Sequence, residues 1–197
     1  MLGQKFDEAL ALASELHREQ RRKDAPIPYL SHLMAVAGIV LEANAHHTMD
    51  NIEAVAIGAL LHDSIEDQGH KINLDEIKAR FGETVHRIVL ECSDAIITSE
   101  DEGKPSWRER KEKYLAGIKT KSKETLLVSC ADKLHNARCI LFDYDRIGSQ
   151  IWDRFTATRE GTVWYYESLA QEFESAWPEN PLLPDFQALV VRMKQAA

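Results

Sequence analysis

Cysteine is scarce in this chain: its 197 residues hold three, Cys92, Cys130 and Cys139. Their odd number and their apolar, helical surroundings argue for reduced core residues rather than a disulfide framework. No CxxC pair is present, which argues against a thiolate zinc site. No apolar run reaches the length that crosses a bilayer. The opening residues, Met1-Leu2-Gly3-Gln4-Lys5-Phe6-Asp7-Glu8, lack the apolar stretch of a secretory signal, so a cytoplasmic location is expected. Positive charge is in deficit, with 24 Lys and Arg against 32 Asp and Glu and a net charge of −8. That balance argues against binding to nucleic acid or an anionic membrane. A small anionic substrate stays compatible where basic groups gather, as Arg18, Arg21, Arg22 and Lys23 do.

Strand-like alternation, internal repeats and low-complexity tracts are also missing. Apolar residues instead recur at helical spacing nearly throughout. Phe6, Leu10, Ala13 and Leu16 mark a first helix, which Pro26 and Pro28 interrupt. A second helix is expected from Tyr29 to about Ala43, with Leu30, Leu33, Val36, Ala37 and Val40 inward. Asp50 and Glu53 have capping-box spacing and predict a third helix running on to about Asp67. Asn73 with Glu76 repeats that signature, Phe81-Gly82 breaks the chain, and Glu83 to about Ser93 is helical again. Residues 98–105 read as a polar loop that could cover a substrate. Ser106 and Glu109 cap a further helix. Leu126 to Leu141, about 149–175, and a segment after Pro184 complete the set. The expectation is an all-α fold, one domain over residues 1–197.

One segment stands out. Ala59-Leu60-Leu61-His62-Asp63-Ser64-Ile65-Glu66-Asp67 puts five polar groups at the end of a run apolar enough to be core. Residues three and four apart share a helix face, so these groups can converge. Unpaired ionised carboxylates in such a place cost several kcal/mol or more, and a cation relieves that cost. Two other apolar helical segments carry matching donors, His32 in one and Asp132 in the other. Two imidazoles and two carboxylates suit Mn²⁺, Fe²⁺ or Zn²⁺ better than Ca²⁺ or Mg²⁺. On an octahedral ion they leave two positions for water or substrate, an open geometry that points to catalysis. Taken singly, each residue has an ordinary explanation. A lone buried histidine is commonly just hydrogen-bonded, and Asp132 could pair with Lys133. His135, one turn from Asp132, could touch a ligand rather than the ion.

The order H…HD…D resembles the HD-domain superfamily of metal-dependent phosphohydrolases. The likeness extends to the hydrolase domain of the RelA/SpoT alarmone enzymes. It rests on Gln20-Arg21-Arg22-Lys23-Asp24, Pro28-Tyr29-Leu30-Ser31-His32, the His62-to-Asp67 segment, Phe81-Gly82-Glu83-Thr84-Val85 and Ala131-Asp132-Lys133-Leu134-His135-Asn136-Ala137-Arg138. These motifs span about residues 5–145, leaving C-terminal helices over about 149–196. The resemblance is to stand-alone small alarmone hydrolases, such as the metazoan SpoT homologues. It implies Mn²⁺ held by His32, His62, Asp63 and Asp132. It implies Glu66 and Asp67 acting on the attacking water, and Arg22, Lys23, Asn136 and Arg138 facing the nucleotide, with Arg159 and Tyr165 as further contacts. The implied reaction releases pyrophosphate from the 3′ position of guanosine tetra- or pentaphosphate. Rival expectations are an NADPH 2′-phosphatase, an adenine alarmone hydrolase, or a nucleotide-sensing module. The sequence departs from the family's pattern at Leu33, where proline is usual, and at Ser129-Cys130, where many members carry a lysine. The oligomeric state is not legible.

Overall fold

The apolar spacing is realised as ten α-helices in a computed structural model that describes residues 2–23, 25–93 and 105–196. In chain order they are α1 Gln4–Leu16, α2 Leu30–Ala43, α3 Ile52–Leu61, α4 Ser64–Gln68, α5 Leu74–Phe81, α6 Glu83–Cys92, α7 Trp107–Gly117, α8 Lys123–Ile147, α9 Thr158–Ala176 and α10 Leu183–Gln195. Short 3₁₀ turns, Ile118–Thr120 and Gly148–Arg154, lead into α8 and α9. No strand occurs among the described residues. Most of the polar loop expected at 98–105 lies outside them. No described helix is long and apolar enough to cross a membrane.

The centre of the fold is α3. Every residue from Ala54 to Leu61 is buried, and α1, α2, α6 and α8 pack around it. The approach of α6 is close enough to demand glycine. A Cβ at Gly58 would lie 2.8 Å from both Cδ1 and Cγ2 of Ile88. Around this centre α8 supplies the longest buried stripe, Leu126 to Leu141, and α10 closes over α8 and α9.

Local sequence accounts for many of the boundaries. Asn73 Oδ1 accepts from the Glu76 N–H (2.9 Å) to start α5. Ser106 and Glu109 form a reciprocal capping box on α7. Gly82, with φ of 92°, makes the α5–α6 joint, a conformation that side-chain-bearing residues rarely adopt. Three expectations need correction. The start of α3 is capped by Asn51, whose Oδ1 accepts from Ala54 N, rather than by an Asp50–Glu53 box. The third helix does not run through to Asp67. It stops at Leu61, and Asp63, at φ −96° and ψ 0°, begins the separate α4. Here His62 Nδ1 takes the Ala59 carbonyl and Ser64 Oγ takes the Leu61 carbonyl. These side chains occupy carbonyls that a continuing helix would use. Finally, the helix expected over 149–175 begins only at Thr158, whose φ of 56° marks the turn, so Trp152 and Phe155 precede it.

Between α1 and α2 the basic segment doubles back as a tight hairpin. Arg22 N–H donates to the Ile27 carbonyl (2.9 Å), and Tyr29 N–H to that of Gln20 (2.9 Å). The fold back places Arg22 and Tyr29 near the start of α2, three residues before His32 in the case of Tyr29.

Candidate metal centre and adjoining cavity

Three elements converge on one point. The first turn of α2 brings His32, the α3–α4 break brings His62 and Asp63, and the middle of α8 brings Asp132. Donor atoms of His32, His62 and Asp63 lie within 4.8 Å of one another. Asp132 Oδ1 sits 3.2 Å from His32 Nε2 and 3.8 Å from His62 Nε2, and Asp63 Oδ2 is 3.0 Å from His62 Nε2. All four residues expected as ligands are thus together.

The histidine orientation favours a cation. His62 Nδ1 lies 2.8 Å from the Ala59 carbonyl, an acceptor only, so Nδ1 keeps a proton and Nε2 is the nitrogen that could give up its own to a cation. His32 Nδ1 is engaged by His135 (2.8 Å). Both Nε2 atoms are buried with no hydrogen bond of good geometry, an arrangement that costs free energy unless something satisfies it. The donor set therefore fits a divalent ion held by His32, His62, Asp63 and Asp132.

The electrostatics agree. Burial pushes the Asp63 carboxyl up, but His62 and His32 overcome it and hold the group below the usual carboxylate range. Burial opposes ionisation of Asp132 as well, and Lys133 with the two histidines prevails there. Both carboxylates are charged near neutrality. Burial lowers His32 below its ordinary value, despite Asp132. At His62 burial also disfavours the proton, yet Asp63 and Asp132 raise the imidazole well above its ordinary value. That field attracts positive charge, and metal and proton compete for it.

Each ligand is held by a neighbour. Tyr29 donates to Asp63 Oδ2 (2.6 Å). Asn136 Nδ2 donates to Asp132 Oδ1 (2.6 Å) and Lys133 Nζ to its Oδ2 (2.7 Å). Arg22 in turn donates to Asn136 Oδ1. These four supporting residues, Tyr29, Lys133, His135 and Asn136, all line a cavity of about 890 Å³. The cavity wall also carries Arg22, Lys23, Arg110, Lys111, Arg138 and Arg154, against one acid, Asp143, among the described residues. In a chain of net charge −8 this is a local reversal of sign, suited to an anion. Trp107, Tyr165 and Phe155 add aromatic surface.

Among the residues expected to meet substrate, Arg22, Lys23, Asn136, Arg138 and Tyr165 line this cavity. Arg159 lies outside the lining and donates instead to the carbonyls of Ala196 (2.7 Å) and Lys194 (2.8 Å) at the end of α10. Glu66 and Asp67 stand on α4, directly after the ligand pair, on its exposed side and outside the cavity lining. Asp67 Oδ2 accepts from Gln20 Nε2 (2.7 Å). Partial desolvation by the surrounding protein and the charge of Asp63 raise the Asp67 carboxyl above its ordinary value. Sequence reasoning did not assign roles to Tyr29, Gln20, Arg110 or Lys111. For Tyr29 a signal existed, its i, i+3 spacing to His32; for the α7 pair none did.

Comparison with known proteins agrees with this geometry. The HD domain family matches residues 9–163. The human protein named guanosine-3′,5′-bis(diphosphate) 3′-pyrophosphohydrolase MESH1 is 34% identical over 165 residues, 83% of this chain and 80% of the human one. Its Xenopus tropicalis counterpart is 37% identical over 132 residues, and the match spans 66% of each chain. A solved structure described as a metazoan ortholog of SpoT that hydrolyses ppGpp superposes with a TM-score of 0.75 at 25% identity, covering 100% of this chain and 99% of that one. A Listeria monocytogenes EGD-e protein shares the fold, with a TM-score of 0.67. With its H…HD…D donors gathered at one point and its relatives of the MESH1 type, the chain belongs to the HD-domain family.

Proposed function

We propose that this protein is a Mn²⁺-dependent hydrolase that removes the 3′-pyrophosphate of guanosine 3′,5′-bispyrophosphate, or of its pentaphosphate, to give GDP or GTP and pyrophosphate. The observation that carries this reading is the His32, His62 and Asp63 donor group, with Asp132 Oδ1 3.2 Å from His32 Nε2, joined through the hydrogen-bond partners of these residues to a cation-lined cavity. The relatives named as guanosine-3′,5′-bis(diphosphate) 3′-pyrophosphohydrolases support the choice of substrate.

His32, His62, Asp63 and Asp132 would hold the ion, and Fe²⁺ or Zn²⁺ suits the same donors. When bound, such an ion polarises a phosphoryl oxygen and lowers the pKa of water. Glu66 and Asp67 orient the attacking water and accept its proton. Asp67, held by Gln20 Nε2 (2.7 Å), follows the ligand pair closely enough in the chain for that role. Arg22, Lys23 and Arg138 offset the pyrophosphate charge as it shifts to the leaving group. Asn136 couples Arg22 to Asp132, so the phosphate-facing cation and a ligand share one hydrogen-bond chain. Tyr165 offers aromatic surface to the nucleotide.

The test is a product assay across a nucleotide panel with added Mn²⁺, read by phosphorus NMR. Guanosine 3′,5′-bispyrophosphate should yield GDP and intact pyrophosphate. Orthophosphate as sole product, or turnover confined to NADPH or an adenine alarmone, overturns the substrate assignment. Binding without turnover of any member leaves a nucleotide sensor.

A further inference from the structure

We infer that His135 is a positioning residue for the metal centre: a neutral imidazole that accepts the Nδ1 proton of His32 and so fixes the tautomer and orientation in which His32 can bind an ion. The inference rests on the metal-binding part of the proposed function. It assigns His135 no contact with the ion or the reacting atoms.

His32 and His135 are 103 residues apart, yet their Nδ1 atoms are 2.8 Å from each other. A hydrogen bond between two imidazole nitrogens needs one protonated and one bare. His32 Nε2 lies in the donor cluster, 3.2 Å from Asp132 Oδ1, buried and without a well-formed hydrogen bond. To coordinate a cation there, Nε2 must be bare, so the His32 proton sits on Nδ1. His135 Nδ1 must then be the acceptor, and its own proton belongs on Nε2. Only one of the two possible donor directions is compatible with a ligand role for His32.

The surroundings hold His135 for that task. It stands on α8 one turn beyond Asp132, so the helix that delivers one ligand also delivers the support for another. Its ring lies 4.9 Å from that of His32, tilted by 42°. Cys139, a further turn along α8, places its Sγ 3.8 Å from both ring nitrogens. His62 achieves the same end differently, through the Ala59 carbonyl. The two histidine ligands therefore take their tautomers from partners of different kinds. A backbone carbonyl can only accept, whereas Nδ1 of an imidazole accepts only when the proton is on Nε2.

The test measures Mn²⁺ affinity by titration calorimetry on the full chain, apart from any turnover. His135→Leu keeps bulk but removes the acceptor, and it should weaken Mn²⁺ binding roughly 10–100-fold, the usual effect of losing a ligand's supporting partner. His135→Gln restores an acceptor oxygen and should recover most of that loss. Equal affinities for wild type and His135→Leu, or Leu and Gln variants equally impaired, overturn the inference. Should the Leu variant fail to fold, nitrogen-15 histidine NMR of the Zn²⁺-loaded wild type decides. It should show His32 protonated at Nδ1 and His135 at Nε2; the reverse assignment at His135 overturns the inference. Failure of the wild type to bind either ion is a separate outcome, which removes the metal reading and this inference with it.

Discussion

Tyr29 donates its hydroxyl proton to Asp63 Oδ2 over 2.6 Å, and the same oxygen is 3.0 Å from His62 Nε2. One carboxylate oxygen thus faces both a ligand histidine and a phenol from the hairpin–α2 junction. Burial raises the Tyr29 pKa further above its ordinary value, and Asp63 and Asp67 add to the effect, so the phenol stays a donor. Tyr29→Phe should keep the ring packing against His17 and lose only the bond to Asp63. The expected result is Mn²⁺ affinity weaker by about 10-fold, within the range for a ligand's supporting partner. Unchanged affinity in calorimetry would show that Asp63 needs no such support.

The ligand assignment predicts metal loss in two variants from distant parts of the chain. His62→Ala and Asp132→Ala should each purify without a stoichiometric ion, measured by elemental analysis against wild type. In the wild type, a chelator should remove both the ion and the extra thermal stability that comes from binding the native state alone. Full metal retention in both variants would refute the assignment.

Glu66→Gln and Asp67→Asn separate chemistry from coordination. Neither residue belongs to the four-donor cluster, and each replacement keeps size while removing charge. General acid–base catalysis contributes about 10²–10⁴-fold, and turnover should fall by that order with metal content and melting temperature little changed. Near-normal turnover in both would mean that these acids simply solvate α4. Loss of the ion would make one of them a ligand.

His17 makes a pH prediction for the metal-free protein. Its imidazole is almost wholly buried, at 2% exposure. Burial lowers its pKa below 6.5, against the opposing pull of Gln20, Asp63 and Asp67. The folded state therefore binds the proton less readily than the unfolded chain does. Stability from neutral His17 is full above about pH 6.5 and declines as the pH falls below that value toward the lowered native pKa. His17→Gln should show a smaller loss of unfolding free energy between pH 7.5 and 5.5 than wild type does, in urea titrations without metal. Identical pH slopes in the two proteins would rule this out.

Gly58→Ala tests the packing that holds the ligand-bearing end of α3. The new methyl would press on Cγ2 and Cβ of Ile88, at 2.8 and 3.0 Å, atoms that cannot swing aside as a chain end can. Overpacking of this kind costs roughly 1–3 kcal/mol, partly offset by the better helix propensity of alanine, up to about 1 kcal/mol. A net destabilisation of about 1–2 kcal/mol is expected from denaturant melts. A variant as stable as wild type would show that α6 can retreat from α3 freely.

How far the sequence reached can be judged at particular residues. Helical periodicity and caps such as Asn73–Glu76 and Ser106–Glu109 are local, because neighbours within a turn or two set them, and the all-α fold followed from them. That His32, His62, Asp63 and Asp132 would come together was legible because polar donors on apolar faces need a reason to be buried. The break between α3 and α4 was not legible. It depends on side chains claiming the Ala59 and Leu61 carbonyls, which periodicity does not report. Nor was the late start of α9, which turns at Thr158.

Residues acting across the chain needed the tertiary structure. Arg22 meets Asn136 over a separation of 114 residues, Gln20 meets Asp67 over 47, and His32 meets His135 over 103. Arg110 and Lys111 join the cavity only because α7 lies beside α9, and Arg159 turns instead to the end of α10. The amino-acid sequence by itself determined which side chains could bind a cation, since that follows from donor chemistry and local pattern. Which of them are oriented, and by what partner, was decided by helix packing, because a hydrogen bond is made or lost within a few tenths of an ångström and no spacing along the chain specifies a distance between helices.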